Sequence, residues 1–134
     1  MKTIAIIERG KDGSFGIYTP NLQNTLSGNG STLEAAKKDF EESYKESKEV
    51  FAQIGQPTPE ELIDLEFEYH YDLGSFYEAH PYLNVSQVAR YIGINDTLMR
   101  QYRRGQYISE TQIARIQEGI HRIGQELSNA VLVR

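Results

Sequence analysis

A cluster of arginine, glutamine and threonine side chains lies in the second half of the chain, within the segment DTLMRQYRRG at residues 96–105. An arginine can donate two hydrogen bonds to one guanine, a glutamine can pair with adenine in the same way, and further arginines can hold phosphates. This combination is typical of a helix that enters the major groove of DNA. The candidate DNA-contacting residues are Asn95, Thr97, Arg100, Gln101, Arg103 and Arg104.

The residues around this cluster have the spacing of two short helices that meet at a glycine. Ala89 is small enough for a second helix to cross over it, and Gly93 can adopt the positive φ of a tight turn. Asn95 or Asp96 can cap the second helix, and Gly105 ends it. The pattern predicts a helix-turn-helix, and the alternative is an ordinary helical hairpin with a solvated basic edge. The remaining inward positions are Val88, Ile92, Ile94, Met99 and Tyr102.

The N-terminal part has the pattern of three strands, one long helix and a fourth strand. Strands are predicted at residues 3–8, 15–19, about 24–27 and 65–71, with a reversal at Asp12-Gly13. The helix is predicted from a cap at Ser31 or Thr32 to Gly55, and Gly28-Asn29-Gly30 lacks the Lys-Ser/Thr pair of a phosphate-binding loop. Its apolar stripe consists of Leu33, Ala36, Phe40, Tyr44, Ser47, Phe51 and Ile54.

Only helices are predicted after the fourth strand, so the fold class is α+β. Residues 75–79 are expected to form a brief helix that packs on the helix-turn-helix. Ser109 and Gln112 form a capping box for the last helix. That helix carries an apolar seam, which packs either within its own domain or against a second chain in a homodimer. The candidate dimer residues are Ile113, Ile116, Ile120, Ile123 and Leu127.

Composition limits the class of protein. The chain has 134 residues, 39% of them hydrophobic, and no cysteine, which excludes disulfides and thiolate metal sites. No apolar run approaches the roughly 20 residues that span a bilayer, so we expect a soluble, cytoplasmic protein. The three histidines are too scattered to form a metal site. No cofactor and no metal are expected.

The charge is unevenly distributed along the chain. Residues 1–72 contain 7 Lys or Arg and 14 Asp or Glu, a net charge of −7, whereas residues 73–134 contain 7 Arg and 5 acids, a net charge of +2. This division predicts two domains with these boundaries. An acidic domain followed by a mildly basic one favours two different partners.

Two stretches resemble a known family. The hairpin DGSFGIY with Thr19-Pro20-Asn21-Leu22, the LSGNGST-LEAA approach to the long helix and the final FEYHYDL strand are similar to the partial ribonuclease-H-like βββαβ domain of HicB-family antitoxins. The continuation SFYEAHPYLNVSQVARYIGIN with LMRQYRRG resembles the helix-turn-helix attached to that domain in one branch of the family. Together these stretches cover nearly the whole chain.

The resemblance implies a type II toxin–antitoxin role. The first domain would mask a small basic HicA-type toxin that cleaves mRNA, and the helix-turn-helix would bind operator DNA and repress the operon. An acidic domain is a suitable electrostatic partner for a basic toxin. The candidate toxin-contacting acids are Glu8, Asp12, Glu66 and Glu68, on or beside predicted strands, although acids on such strands are commonly just solvated.

Two other functions are alternatives to this hypothesis. The chain could be a transcriptional regulator whose acidic domain senses a different partner or ligand. A two-metal nuclease is the third possibility, but it needs several converging carboxylates, and the predicted strand centres Ile6, Ile17 and Phe67 are apolar. The sequence therefore favours a binding protein without enzymatic activity.

Overall fold

The computed structural model describes residues 1–134 and divides into two compact units, Met1–Ala79 and His80–Arg134. It is a mixed α+β structure with one four-stranded sheet and five α-helices. None of the helices is long and apolar enough to cross a membrane.

The first unit contains the whole sheet and two helices. Its strands are β1 (Lys2–Arg9), β2 (Phe15–Tyr18), β3 (Ser27–Gly30) and β4 (Glu66–Tyr71), and its helices are α1 (Leu33–Gln53) and α2 (Leu73–Ala79), with a short 3₁₀ turn at Glu60–Leu62. The strand order is β3-β2-β1-β4. The β1–β2 and β2–β3 pairs are antiparallel, whereas β1 and β4 run parallel because α1 connects the two halves of the sheet.

Helix α1 covers one face of the sheet and supplies the centre of the core. Phe40 is fully buried, and its ring meets that of Phe67 edge to face with 4.7 Å between the ring centroids. Tyr44 donates a hydrogen bond to the Leu62 carbonyl and accepts one from the Leu65 amide at 3.1 Å, which ties the loop before β4 to the helix. The apolar stripe predicted for α1 included Ile54, and this part of the prediction is wrong. Ile54 is the C-terminal cap of the helix and is 62% exposed.

The third strand lies later in the chain than expected, at residues 27–30 rather than about 24–27. Glycine usually weakens a strand, so propensity argues against this position. The reason for the glycines is their distance from α1: a Cβ added at Gly28 would lie 2.4 Å from the Phe40 backbone nitrogen, and one at Gly30 would lie 2.5 Å from the Ala36 nitrogen. The backbone of α1 packs directly on that of β3, and a side chain has no room there.

The division between the units follows Ala79, whereas the sequence placed it after residue 72. The Asp72 side chain accepts hydrogen bonds from the Ser75 amide at 2.8 Å and from the Arg9 amide at 3.1 Å. These two bonds fix the start of α2 at the end of β1. Helix α2 packs against β1, β4 and α1, so it completes the sheet unit instead of belonging to the helical unit.

The second unit consists of α3 (Val85–Ile92), α4 (Asp96–Arg103) and α5 (Glu110–Asn129). Asn84, Asn95 and Ser109 cap the three helices with their side-chain oxygens. Only half of the expected capping box forms, because the Gln112 side chain is directed to the Tyr102 hydroxyl at 3.5 Å. The core residues of this unit are Val88, Ala89, Ile92, Ile94, Met99 and Ile116.

Candidate functional site

Helix α4 has one exposed face on which most of the candidate DNA-contacting residues lie. Thr97, Arg100, Gln101 and Arg104 follow one another at spacings of three, one and three residues, and all four are exposed. Met99 is fully buried on the opposite side, which fixes the rotation of the helix. The exposed face therefore offers a hydroxyl, an amide and two guanidinium groups to an external partner.

The other two candidates have different positions. The Asn95 side-chain oxygen accepts the amides of Thr97 at 2.9 Å and Leu98 at 3.3 Å, so it serves as the cap of α4. Arg103 is exposed but lies about 60° around the helix from Arg100, at the edge of the exposed face.

The Arg100 guanidinium donates a hydrogen bond to the Ser86 hydroxyl at 2.9 Å. This bond orients the Arg100 side chain and leaves most of its N–H donors available to an external partner.

The turn between α3 and α4 sets the angle at which α4 is presented. Gly93 has φ +90°, and its amide and that of Ile94 both bond to the Ala89 carbonyl, at 2.8 and 2.9 Å. The Arg115 guanidinium from α5 donates to the Gly93 carbonyl at 3.0 Å. Glycine is favoured here because of the positive φ, and an added Cβ would lie 3.0 Å from the Arg115 guanidinium, which would have to move slightly.

Helix α5 holds α3 through further polar contacts. The Tyr91 hydroxyl donates to Glu126 at 2.9 Å, and Arg122 stacks over the Tyr91 ring. Arg90 forms an ion pair with Asp96 at 3.3 Å, across the turn. Neither this ion pair nor the role of Arg115 was predicted from the sequence. Arg90 and Asp96 are 6 residues apart and Arg115 and Gly93 are 22 apart, and such separations give no periodic signal.

The second unit carries only arginine as a cation. Residues 80–134 contain 7 Arg and 4 acids, a net charge of +3, and residues 1–79 contain 7 Lys or Arg and 15 acids, a net charge of −8. The two parts of the chain therefore differ more in net charge when they are divided after residue 79, as in the structure, than when they are divided after residue 72, as expected from the sequence. Arginine is the residue best suited to bidentate contacts with bases and phosphates.

The first unit has a second candidate site on the sheet face opposite α1. We call it the outer sheet face, and the strand register identifies its members, because Ile6 lies opposite Tyr18 on one side and His70 on the other. Its centre is apolar and half-buried, and acids surround it. The members are Lys2, Ile4, Ile6, Glu8, Tyr18, Glu66, Glu68 and His70.

Three of the four candidate toxin-contacting acids lie on this face. Glu8 accepts a hydrogen bond from the Tyr18 hydroxyl at 3.2 Å, and burial together with the Glu8 charge raises the pKa of Tyr18. Glu68 lies 3.5 Å from the His70 ring nitrogen, and Glu66 is exposed beside Lys2 in the register. An apolar centre with an acidic rim is suited to bind a basic protein surface.

Asp12 differs from the other three acids, because it lies in the β1–β2 turn. Its carboxylate accepts the Ser14 hydroxyl at 2.6 Å and the Ser14 amide at 3.0 Å, and these bonds lower the pKa of Asp12. The turn is closed by Gly13 at φ +84°, as the Asp12-Gly13 pattern predicted. Asp12 is therefore committed to the hairpin and is not part of the outer sheet face.

An open groove of about 360 Å³ lies at one end of the outer sheet face. Ile4, Lys2 and Glu68 form part of its wall, and Glu61 forms another part. Glu61 accepts the Asn24 amide at 2.8 Å and the Asn24 side-chain nitrogen at 2.9 Å, which holds the loop before β3. No three His, Asp or Glu side chains meet in an arrangement that could hold a metal ion.

The apolar seam expected for a dimer divides into inward and outward residues. Ile116 is buried within its own unit, so it is not available to a second chain. Ile120 and Ile123 are half-buried, whereas Ile113 is 40% and Leu127 67% exposed. Helix α5 packs closely on α3 at Gly119, since a Cβ added there would lie 2.3 Å from Ile92. The inner side of the apolar seam is therefore buried against α3 of the same chain.

Comparison of the chain with protein-family models, curated proteins and solved structures found no match.

Proposed function

We propose that this chain is a DNA-binding regulator with a separate protein-binding domain. In this proposal the unit His80–Arg134 is a helix-turn-helix domain, with α4 as the helix that enters the major groove. The observation that carries the proposal is the exposed face of α4, where Thr97, Arg100, Gln101 and Arg104 project together while Gly93 and Arg115 fix the turn.

Within this class, we propose a HicB-like antitoxin that represses its own operon. The first unit would be a partial ribonuclease-H-like domain that binds a small basic HicA-type toxin and takes no part in catalysis. The resemblance of the sequence motifs and the net charge of −8 in residues 1–79 support this proposal. The outer sheet face is the proposed docking surface, because it combines apolar residues with Glu8, Glu66 and Glu68.

The DNA-binding part can be tested by gel shift with the DNA upstream of the gene. We expect Arg104→Ala to weaken binding about tenfold and to reduce the salt dependence of the affinity by about one released counterion. Gln101→Ala should cost about 1–3 kcal/mol if Gln101 contacts a base, and the loss should depend on the base sequence.

The matched control for charge is Arg134→Ala, which removes the same charge at an exposed position after α5. Its affinity should stay within about threefold of the unmodified chain. Equal losses for Arg104→Ala and Arg134→Ala would mean that only net charge matters and that α4 is not the helix that reads the DNA sequence.

The toxin-binding part requires the partner to be identified first. The chain should be purified under its own operon with a tag, and the bound proteins should be identified by mass spectrometry. A stoichiometric small basic protein encoded beside this gene is the expected result. DNA binding without any such partner would favour a regulator that senses a different ligand.

The docking surface can then be tested by charge reversal. Glu66→Lys combined with Glu68→Lys should weaken capture of the basic partner at least about tenfold, since like charges would meet across the interface. Glu42→Lys combined with Glu46→Lys is the matched control, because both residues are exposed on α1 and the change in net charge is the same. An equal loss in both variants would argue against the outer sheet face.

A further inference from the structure

Strand β4 lies at one edge of the sheet, because the strand order is β3-β2-β1-β4. Alternate residues of β4 bond to β1: the Glu66 amide donates to the Met1 carbonyl at 2.9 Å, and the Asp72 amide donates to β1 in the same way at 3.1 Å. The residues between them direct their amides and carbonyls to the other side of the strand. The backbone groups of Phe67 and Tyr69 therefore point away from β1, toward the open edge.

The opposite edge of the sheet, at β3, is protected. That strand has only four residues, and its Asn29 amide donates to the Asp39 carboxylate of α1 at 2.8 Å. The amides of Phe67 and Tyr69 have no such acceptor, and α2 contacts β4 only at the C-terminal end of the strand, beyond Tyr69. Unpaired backbone groups along an edge strand are a template for a further strand.

The side chains of Phe67 and Tyr69 are incompletely covered as well. Both lie on the α1 side of the sheet and are half-buried, whereas Ala5 and Ile7, on the same side of the neighbouring β1, are fully buried. Helix α1 covers the two rings from above, with Phe67 against Phe40. A strand added beside β4 would bury further apolar area of both rings.

Acidic residues dominate this edge. Residues 60–72 contain six Asp or Glu and no Lys or Arg. Glu66 and Glu68 alternate with the two aromatic residues along β4, and both are exposed. Lys2 of β1 lies opposite Glu66, but the register partner of Glu68 is Ile4. An added strand with cationic side chains at every second position would complement these carboxylates.

The same carboxylates disfavour a second copy of β4 at this edge. An antiparallel pair centred on Glu68 would place the two Glu68 side chains opposite each other. A parallel, in-register pair would align Glu66 with Glu66 and Glu68 with Glu68. Like charges directly opposite each other destabilise a strand pair, whereas a basic strand meets no such repulsion.

We propose that the edge of β4 accepts an extended segment of a basic protein as a fifth strand. The amides and carbonyls of Phe67 and Tyr69 bond to the backbone of that segment, and its Lys or Arg side chains lie opposite Glu66 and Glu68. Its apolar side chains cover the two rings. The inference rests on the protein-binding part of the proposed function and gives the form of that contact, at the strand that borders the outer sheet face.

The test uses the full chain and a synthetic peptide in which lysine and valine alternate (KVKVKVK, blocked at both ends). Hydrogen exchange is followed by NMR with the peptide at up to about 1 mM. The amides of Phe67 and Tyr69 should exchange about tenfold more slowly when about 90% of the chain is bound. The matched control is a peptide of the same composition in the order KKKKVVV, which should leave these two amides unchanged, because attraction by charge alone does not cover the edge.

Neutral variants test the charge pairing. Glu66→Gln combined with Glu68→Gln should weaken binding of the alternating peptide at least about tenfold, because its lysines lose the carboxylates opposite them. Glu42→Gln combined with Glu46→Gln removes the same charge from exposed positions of α1 and should bind the peptide like the unmodified chain. Equal losses in the two double variants would show that the peptide responds only to net charge.

Other outcomes would also overturn the fifth strand. They are no binding at 1 mM, binding without slower exchange at Phe67 and Tyr69, and equal protection by both peptides. Slow exchange of these amides in the chain alone, increasing with its concentration, would show that a second copy covers the edge. The proposed function fails separately: a protected edge without a basic partner in the operon purification would leave the fifth strand standing and remove the toxin.

Discussion

In the unit Met1–Ala79 the tightest contact made by a glycine is backbone against backbone, at Gly28 and Phe40. In the unit His80–Arg134 it is backbone against a side chain, at Gly119 and Ile92. A helix backbone cannot move without shifting its whole element, whereas a single isoleucine side chain can shift locally together with its neighbours. A side chain added at Gly28 in the sheet unit is therefore expected to lower the free energy of unfolding more than one added at Gly119 in the helical unit.

The two units also differ in how they use charge. In the helical unit some arginines lie on the exposed face of α4, and others make structural contacts. Arg115, for example, donates a hydrogen bond to the Gly93 carbonyl. In the sheet unit carboxylates hold the loops, as Asp12, Glu61 and Asp72 each accept backbone amides. This difference leads us to expect that the units respond differently to substitution and to acid.

The largest expected effect is removal of the central side chain of the sheet unit. Phe40→Ala should lower the free energy of unfolding by about 3–5 kcal/mol, because a fully buried ring leaves a cavity between α1 and β4. Native-state hydrogen exchange can measure this loss for each unit separately. Val50→Ala, at an exposed position of the same helix, should stay within about 0.5 kcal/mol.

Gly28→Ala should be next, with a loss of about 2–3 kcal/mol from overpacking. The added Cβ would lie 2.4 Å from the Phe40 nitrogen and 2.6 Å from its Cα, so α1 would have to move away from β3. Gly13 is unsuitable as a control because of its positive φ, but Gly16→Ala is suitable, since its nearest neighbour is the Asn29 side-chain oxygen at 3.4 Å. Equal losses at Gly16 and Gly28 would refute the backbone contact.

Gly119→Ala should have a smaller effect, about 1 kcal/mol or less. The clash with Ile92 costs packing energy, but alanine favours a helix interior over glycine by about 1 kcal/mol. The clash should disappear in an Ile92→Ala background, where Gly119→Ala should become neutral or stabilising. A double-mutant cycle measures this coupling, and additive effects would show that the two residues do not interact.

The sequence predicted the elements best where local signals and tertiary packing agree. The Asp12-Gly13 reversal and the turn at Gly93 were expected from short-range chemistry, and the caps Thr32 and Asn95 were each one of two expected candidates. The sequence prediction placed the third strand about three residues too early, at about 24–27 instead of 27–30. Its glycines are needed because the backbone of α1 packs directly on this strand, and no local sequence pattern reveals that contact.

The candidate site was predictable to a similar extent. The exposed face of α4 follows from helical periodicity, so Thr97, Arg100 and Gln101 could be named in advance. The outer sheet face required the register, because Ile4 and His70 share it only once β1 is known to pair with β4. The sequence SNAVLVR at residues 128–134 fits either a frayed end or a small strand, because no local signal decides between them.

The smallest expected effect concerns pH and acts on the sheet unit alone. The bonds from Asn24 to Glu61 lower the pKa of this carboxyl below its ordinary value of 4.5. A lowered folded-state pKa means that the ionised form stabilises the fold above pH 4.5, and that this contribution is lost as the pH falls through the folded-state pKa.

Glu61→Gln should therefore be slightly less stable than the unmodified chain at pH 7, and the difference should shrink toward zero in acid. Acid also relieves repulsion among the many carboxylates of this unit, so only the difference between the two chains isolates Glu61. Hydrogen exchange at Gln23 and Asn24 should report the change, while amides of α3 and α4 should not respond. A constant difference at all pH values would show that the Glu61 charge does not hold this loop.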